Sequence, residues 1–221
     1  MNTVLVVVAH PDDEVLGCGG VIAKHIVQGD SVHILFMTDG VASRNESKNN
    51  AVERLAAAQD AAQILGINSF VNADFPDNKM DSIPLLDVVK EIEGQITKLQ
   101  PEIIYTHHIG DLNIDHQVTH KAVMTACRPQ PDFCVKEIYA FEILSSTEWN
   151  TPGVESFSPN VFIDITDYID IKKQALKVYS KEMRQPPHSR SIDNVLRLNT
   201  FRGNSVGMKY AEAFMILRVI R

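Results

Sequence analysis

Cysteine is scarce in this chain: Cys18, Cys127 and Cys134 are the only three among 221 residues. The number is odd and no pair has C-x-x-C spacing, so reduced structural thiols fit better than a disulfide framework or a cysteine-held metal. Long apolar runs are missing too. No stretch approaches the roughly 20 apolar residues of a membrane span. The run Val4–Val8 is too short for a secretory leader and lacks a basic flank, so the cytoplasm is the expected location. Positive charge is in deficit, with 21 Lys and Arg against 28 Asp and Glu and a net charge of −7. Nucleic acid, which needs clustered cations, is therefore disfavoured as a partner. A phosphorylated sugar is not, because a few local arginines suffice. Repeats, low-complexity tracts and Pro/Gly/Ser linkers are also absent. With 44% hydrophobic residues, the expectation is a single domain over 1–221.

What is present alternates. Strand-like segments at Thr3–Ala9, Ser31–Met37, Ile67–Asn72 and Glu102–His107 interleave with helix-like segments at about Glu14–Gln28, Ala51–Leu65, Ser82–Leu99 and Ile114–Ala126. In the third helix Leu85, Val89, Ile92, Ile96 and Leu99 recur at three and four, the period of a buried stripe. Such alternation predicts an α/β, Rossmann-like, three-layer sandwich: a mostly parallel sheet with helices on both faces. After Val135 the order loosens into strands Lys136–Ile143 and Asn160–Ile165, helix Asp167–Lys181 and a final apolar stretch, Ala213–Ile220. The region of about 136–221 is expected to form the sheet's other edge and substrate-covering elements of the same domain.

The densest chemistry follows the first strand. Val4–Val8 stops at Ala9-His10-Pro11-Asp12-Asp13-Glu14, which places one imidazole and three carboxylates within five residues at a strand's carboxyl end. Ligand chemistry collects there in parallel sheets. Pro11 holds His10 extended, so the chain turns and His10 and Asp13 can converge on one cation. An imidazole nitrogen with a carboxylate oxygen suits zinc, and also iron or manganese. Asp12 points elsewhere and is left as a base beside the metal. A helix cap explains one carboxylate, but it needs neither the second nor His10. The missing ligand is sought after the strand Glu102–Tyr105, where His107, His108, Asp111, Asp115 and His116 crowd into ten residues.

At these residues the chain resembles the zinc-dependent de-N-acetylases typified by N-acetylglucosaminyl-phosphatidylinositol deacetylase, the LmbE-like or PIG-L family. Residues 9–14 match its AHPDDE, and Asp111-Leu-Asn-Ile-Asp115-His116 matches its D-x-H-x-D-H except at Asn113. Thr38-Asp39-Gly40, Arg54 ahead of Leu65-Gly66, Arg202-Gly203 and Tyr210–Phe214 extend the similarity along nearly the whole chain. The resemblance implies that His10, Asp13 and His116 bind one Zn²⁺ per chain, with Fe²⁺ or Mn²⁺ possible in its place. It implies Asp12 as the general base that takes a proton from water during removal of an acetyl group from an N-acetylated amino sugar. Asn113 departs from the pattern: an amide can donate a hydrogen bond but cannot titrate. His188 is the expected imidazole in its stead, with His107 and His108 as further candidates. Asp115 is expected to orient a neighbouring imidazole rather than bind metal.

Other features carry less. Gly17-Cys-Gly19-Gly20 superficially resembles a dinucleotide-binding turn, but the third glycine position falls at Ile22 and the preceding carboxylates repel pyrophosphate. Close helix–sheet packing explains these glycines better. His25 and His33 lack site partners and read as structural or surface residues. Glu212 matches the family's closing segment and is read as an anchor for an arginine, with its role left open. Met183–Ser191 is a proline-stiffened loop presenting Arg184, His188 and Arg190. Arg190 there, and Arg44 after Gly40, are candidate substrate-binding residues. The reading is an amidohydrolase releasing acetate from a small-molecule amino-sugar conjugate. A metal-dependent phosphoesterase and a non-catalytic sugar- or metal-binding protein are the alternatives. The resemblance leaves a homo-oligomer open.

Overall fold

The computed structural model describes residues 1–40, 48–131 and 133–221, and for 48–51 the backbone alone. Strand β1 (Thr3–Val8) sits at its centre. Val4, Val6 and Val8 pack into one apolar cluster, while Leu5 and Val7 pack into another. A strand sends alternate side chains to opposite faces, so apolar residues at every position require cover on both sides.

Strands β2 (Ser31–Thr38), β3 (Ser69–Phe75), β4 (Ile103–His107) and β5 (Glu137–Phe141) run parallel to β1. Strand β7 (Ala211–Val219) is inserted antiparallel between β5 and β6 (Val161–Asp164), giving the order β3-β2-β1-β4-β5-β7-β6. Helices α1 (Asp13–Val27), α2 (Lys48–Leu65), α5 (Ile169–Val178) and α6 (Ile192–Asn204) cover the Val4 face. Helices α3 (Leu85–Leu99) and α4 (Ile114–Ala126) cover the Leu5 face. The architecture is a three-layer α/β sandwich of Rossmann-like type. Its first connections lead from β1 to β2 on one side, and β4 lies on the other. The carboxyl ends of β1 and β4 therefore flank a topological switch point, where an open α/β sheet forms its crevice.

Three details differ from the sequence reading. In α3 the buried stripe is Val88, Val89, Ile92 and Ile96; Leu85 is exposed because the helix begins only there, after Pro84. Strand β3 lies further along the chain than Ile67–Asn72, ending at Phe75. Glu212 anchors a lysine, not an arginine, and does more than that. Helix α1 breaks at Cys18 (φ −147°, ψ 24°). The amides of Gly20 and Val21, cut off from their helical acceptors, donate to Glu212 Oε1 and Oε2 at 2.9 and 2.7 Å. Lys172 Nζ donates to Leu16 O at 3.0 Å and to Glu212 Oε1 at 2.6 Å. One fully buried ion pair thus splints both halves of the broken helix. The glycines beside the break pack as expected: a Cβ on Gly17 would collide with the Phe141 ring, and one on Gly20 would stand 2.9 Å from Ile165.

Candidate metal centre

The turn after β1 is built around a strained residue. Asp12 has φ 122° and ψ −28°, a backbone conformation that costs a non-glycine residue about 1–3 kcal/mol. Neighbours hold it there. Its N–H donates to Glu14 Oε2 at 2.9 Å, Tyr179 Oη donates to Glu14 Oε1 at 2.7 Å, and the amides of Val15 and Leu16 donate to its carbonyl. No side chain caps α1. Asp13 instead turns back, with Oδ2 accepting the His10 N–H at 2.9 Å.

This turn and the start of α4 bring three electron-pair donors together. His10 Nδ1 lies 3.2 Å from Asp13 Oδ2, His116 Nε2 lies 3.3 Å from the same oxygen, and the two nitrogens are 3.3 Å apart. A tetrahedral ion with bonds of about 2.0 Å sets its ligand atoms about 3.3 Å from one another, so the triangle fits zinc. Both imidazoles are held from behind. His10 Nε2 faces Asp115 Oδ2 and Asp77 Oδ1, each at 3.2 Å, and His116 Nδ1 faces Asp111 Oδ1 at 3.1 Å, in a geometry bent away from a strong hydrogen bond. Such partners fix which ring nitrogen is left to coordinate. Asp111 is itself fastened by Ser146 Oγ, by Thr147 Oγ1 at 2.6 Å and by the Asn113 amide at 2.8 Å.

Charge makes the same case. Asp12, Asp13, Asp77, Asp111 and Asp115 are all buried here, opposed by the guanidinium groups of Arg54 and Arg190. Burial alone would lower the His116 pKa, but the carboxylates of Asp111 and Asp13 outweigh it and lift the ring to about 9. Asp13 Oδ1 and Asp12 Oδ1 are buried without a hydrogen-bond partner among the described residues. The group is short of positive charge, and a divalent cation between His10, Asp13 and His116 would answer it.

Asp12 keeps its side chain out of this triangle. Its Oδ2 lies 3.3 Å from Arg54 Nη2 and 3.2 Å from Arg190 Nη1. Burial pushes its pKa up to about 6, with the two arginines restraining the rise. Arg190 also donates to Ser145 Oγ at 2.8 Å, and its own amide donates to His188 Nδ1 at 3.0 Å. His188 stands apart from the donor triangle, against the half-exposed Trp149 at 5.6 Å between ring centroids. Asn113 caps α4: its Oδ1 accepts the Asp115 N–H at 2.8 Å and its Nδ2 donates to Asn78 Oδ1 at 3.2 Å. His107 lies flat on His116, with centroids 3.9 Å apart, but its Nε2 accepts the Ala9 N–H at 2.9 Å and so is unavailable to a metal. His108 Nε2 bonds Glu155 O at 3.0 Å. Arg44 lies outside the described residues.

Sequence reasoning gave Asp77 no role and Arg54 none beyond a matched position. Asp77 had a signal, since Pro76-Asp77-Asn78 follows β3 at the same sheet edge as the other two clusters. Arg54 had one as well: it shares a helical face with Ala58, Ala61 and Leu65, all buried, and an arginine there needs an anionic partner. Its Nε donates to Pro11 O at 3.0 Å, and Gly40 (φ 70°) leaves it room, since a Cβ at that position would stand 2.6 Å from the guanidinium carbon.

Several known proteins resemble this chain. The uncharacterized deacetylase YaiS of Escherichia coli is 31% identical over 180 residues, covering 79% of this chain and 88% of the relative. The 4-oxalmesaconate hydratase of Pseudomonas putida is 30% identical over 204 residues, covering 80% and 74%. The solved N,N'-diacetylchitobiose deacetylase of Pyrococcus horikoshii shares the fold, with a TM-score of 0.80 at 22% identity over 98% of this chain and 84% of that one. Residues 5–127, more than half of the chain, match the PIG-L family, described as GlcNAc-PI de-N-acetylase, and the chain belongs to that family.

Proposed function

We propose that this chain is a metal-dependent amidohydrolase that removes the acetyl group from an N-acetylated amino sugar or its conjugate, releasing acetate and a free amine. The observation that carries the reading is the triangle of His10, Asp13 and His116 with an unligated, buried Asp12 beside it. The bound cation, for which zinc is the best fit, would supply Lewis acidity at the amide carbonyl and acidify a water. The protein's groups supply the rest. Asp12, with a pKa of about 6, is ionised at neutral pH and can take the water's proton as the water attacks. Arg54 and Arg190 hold its carboxylate in place. The leaving nitrogen then needs a proton, from Asp12 or from His188. With His188 Nδ1 accepting the Arg190 amide, the neutral His188 ring carries its proton on Nε2. Asn113 acts through position, setting Asp115 and Asn78, and Asp115 orients His10. Arg190 is assigned to substrate recognition, as is Arg44, which lies outside the described residues. The segment from about 136 onward contributes Arg190 and His188 to the site and is assigned the covering role.

The hydratase relative supports a second reading, addition of water to a carbon–carbon double bond by the same acidified water and base. One assay separates the two. Protein loaded with zinc is incubated with N-acetylglucosamine conjugates and, in parallel, with 4-oxalmesaconate. Acetate release is expected from the first set. Turnover of 4-oxalmesaconate alone would overturn the deacetylase assignment.

A further inference from the structure

The chain has one tryptophan, and it is half exposed: Trp149 keeps 51% of its surface open to solvent. A lone exposed aromatic needs no explanation by itself. This one is held from two sides by groups that belong to the catalytic centre. On its own segment, Ser146 Oγ and Thr147 Oγ1 bond the Asp111 carboxylate that faces His116. Across the gap, its indole meets the His188 ring nearly edge-on at 71°, and His188 takes the amide of Arg190, whose guanidinium lies on Asp12. One anchor leads to a metal ligand and the other to the base. The indole is thereby tied to both sides of the centre while half of its surface stays open to solvent.

The surroundings select the ligand. Leu112 and Val154 are 49% and 46% exposed on the adjoining segments. The Leu112 segment is clasped to that of Trp149, since Leu112 N–H donates to Ser146 O at 3.4 Å and Asn150 Nδ2 donates to Gly110 O, and Val154 follows Trp149 on the same stretch of chain. Polar groups flank the indole, with Glu148 and Asn150 on either side of it in the chain and His188 against its ring. An alkyl chain seeks continuous apolar cover. A pyranose ring presents a C–H face to an aromatic plane and hydroxyls at its rim, and it suits a mixed border of this kind. We infer that Trp149 is the platform of a second sugar subsite, which stacks the pyranose ring next to the N-acetylated residue being hydrolysed. The inference rests on the deacetylase reading for which ring reacts, and on the Trp149 geometry for which ring stacks.

Two measurements test it on the zinc-loaded full chain. The first is the ratio of kcat/KM for N,N'-diacetylchitobiose to that for N-acetylglucosamine. Trp149→Ala should lower this ratio about tenfold, the order of one well-packed aromatic contact, and Trp149→Phe should restore most of it. A merely structural tryptophan would depress both substrates alike and leave the ratio unmoved, and that result overturns the proposal. The second is tryptophan fluorescence, which reports Trp149 alone. The disaccharide should shift and quench it in a saturable way, whereas the monosaccharide should not. If neither sugar is deacetylated, the function proposed above fails on its own, and the fluorescence titration still decides this inference. No response to the disaccharide, or a response only to an N-acetylglucosamine bearing an alkyl chain, overturns the sugar-ring assignment.

Discussion

At the residue scale the centre is a contest between burial and charge, and Asp12 shows it best. Burial raises its pKa while Arg54 and Arg190 pull it back, leaving it near 6, where a base still ionised at neutral pH is a good proton acceptor. Replacing Asp12 by asparagine keeps its size and its contacts with Arg54 but removes the ability to accept a proton. Turnover should fall by about 10²–10⁴ with metal content unchanged by elemental analysis. Metal lost together with activity would make Asp12 a ligand instead of a base. Arg190→Met tests the same balance from outside. A cation favours the charged form of a neighbouring carboxylate, so removing it lets the Asp12 pKa rise. The acidic limb of the pH–rate profile should then move to higher pH. A limb that stays in place would show that Arg54 alone sets the base.

At the element scale, legibility follows distance along the chain. His10, Asp12 and Asp13 could be read because strand, proline turn and carboxylates are contiguous. The crowd around His116 could be read because it ends another strand of the same pattern. Asp77 faces His10 across residues that no local period connects, and the break in α1 has its cause at Lys172 and Glu212, far along the chain. Glycines at 17, 19 and 20 signal a close approach, but they do not reveal which side chains accept the freed amides. The splint also behaves differently from an ordinary buried ion pair. Lys172→Met leaves an uncompensated carboxylate in the core, and removing one partner of a buried pair costs about 3–5 kcal/mol. Adding Glu212→Gln neutralises that charge and keeps one carbonyl acceptor for the helix amides, so the double variant should recover part of the loss. Denaturant midpoints for the two variants measure this directly. A double variant no better than Lys172→Met would mean that the backbone contacts, and not the charge pair, carry the stability.

At the scale of the whole molecule, the anionic centre is the meeting point of β1, β3 and β4, so its charge state bears on the fold itself. No helix among the described residues is long and apolar enough to cross a membrane. The sheet core is instead closed by its two helical layers, and the strained turn at Asp12 and the start of α4 are tied to each other across the donor triangle. A metal that binds only the folded chain adds stability by mass action, about 2.7 kcal/mol at a hundred times its dissociation constant. In the metal-free protein, protons serve instead. His116 is raised from 6.5 to about 9, so the folded form binds more protons than the unfolded chain between those values. That contribution is fully present below about pH 6.5 and is lost as the pH rises through about 9. Coordination runs the other way, because the imidazole must be deprotonated to bind metal. Thermal unfolding with and without zinc should therefore show a metal-free Tm that falls across this window, while the gain on adding one equivalent of zinc grows across it. His116→Ala should lessen the metal-free trend, to which the raised His10 and Glu14 still contribute, and should abolish the zinc-dependent gain. A zinc gain that is independent of pH in the wild type, or one that survives in His116→Ala, would place the metal somewhere other than on His116.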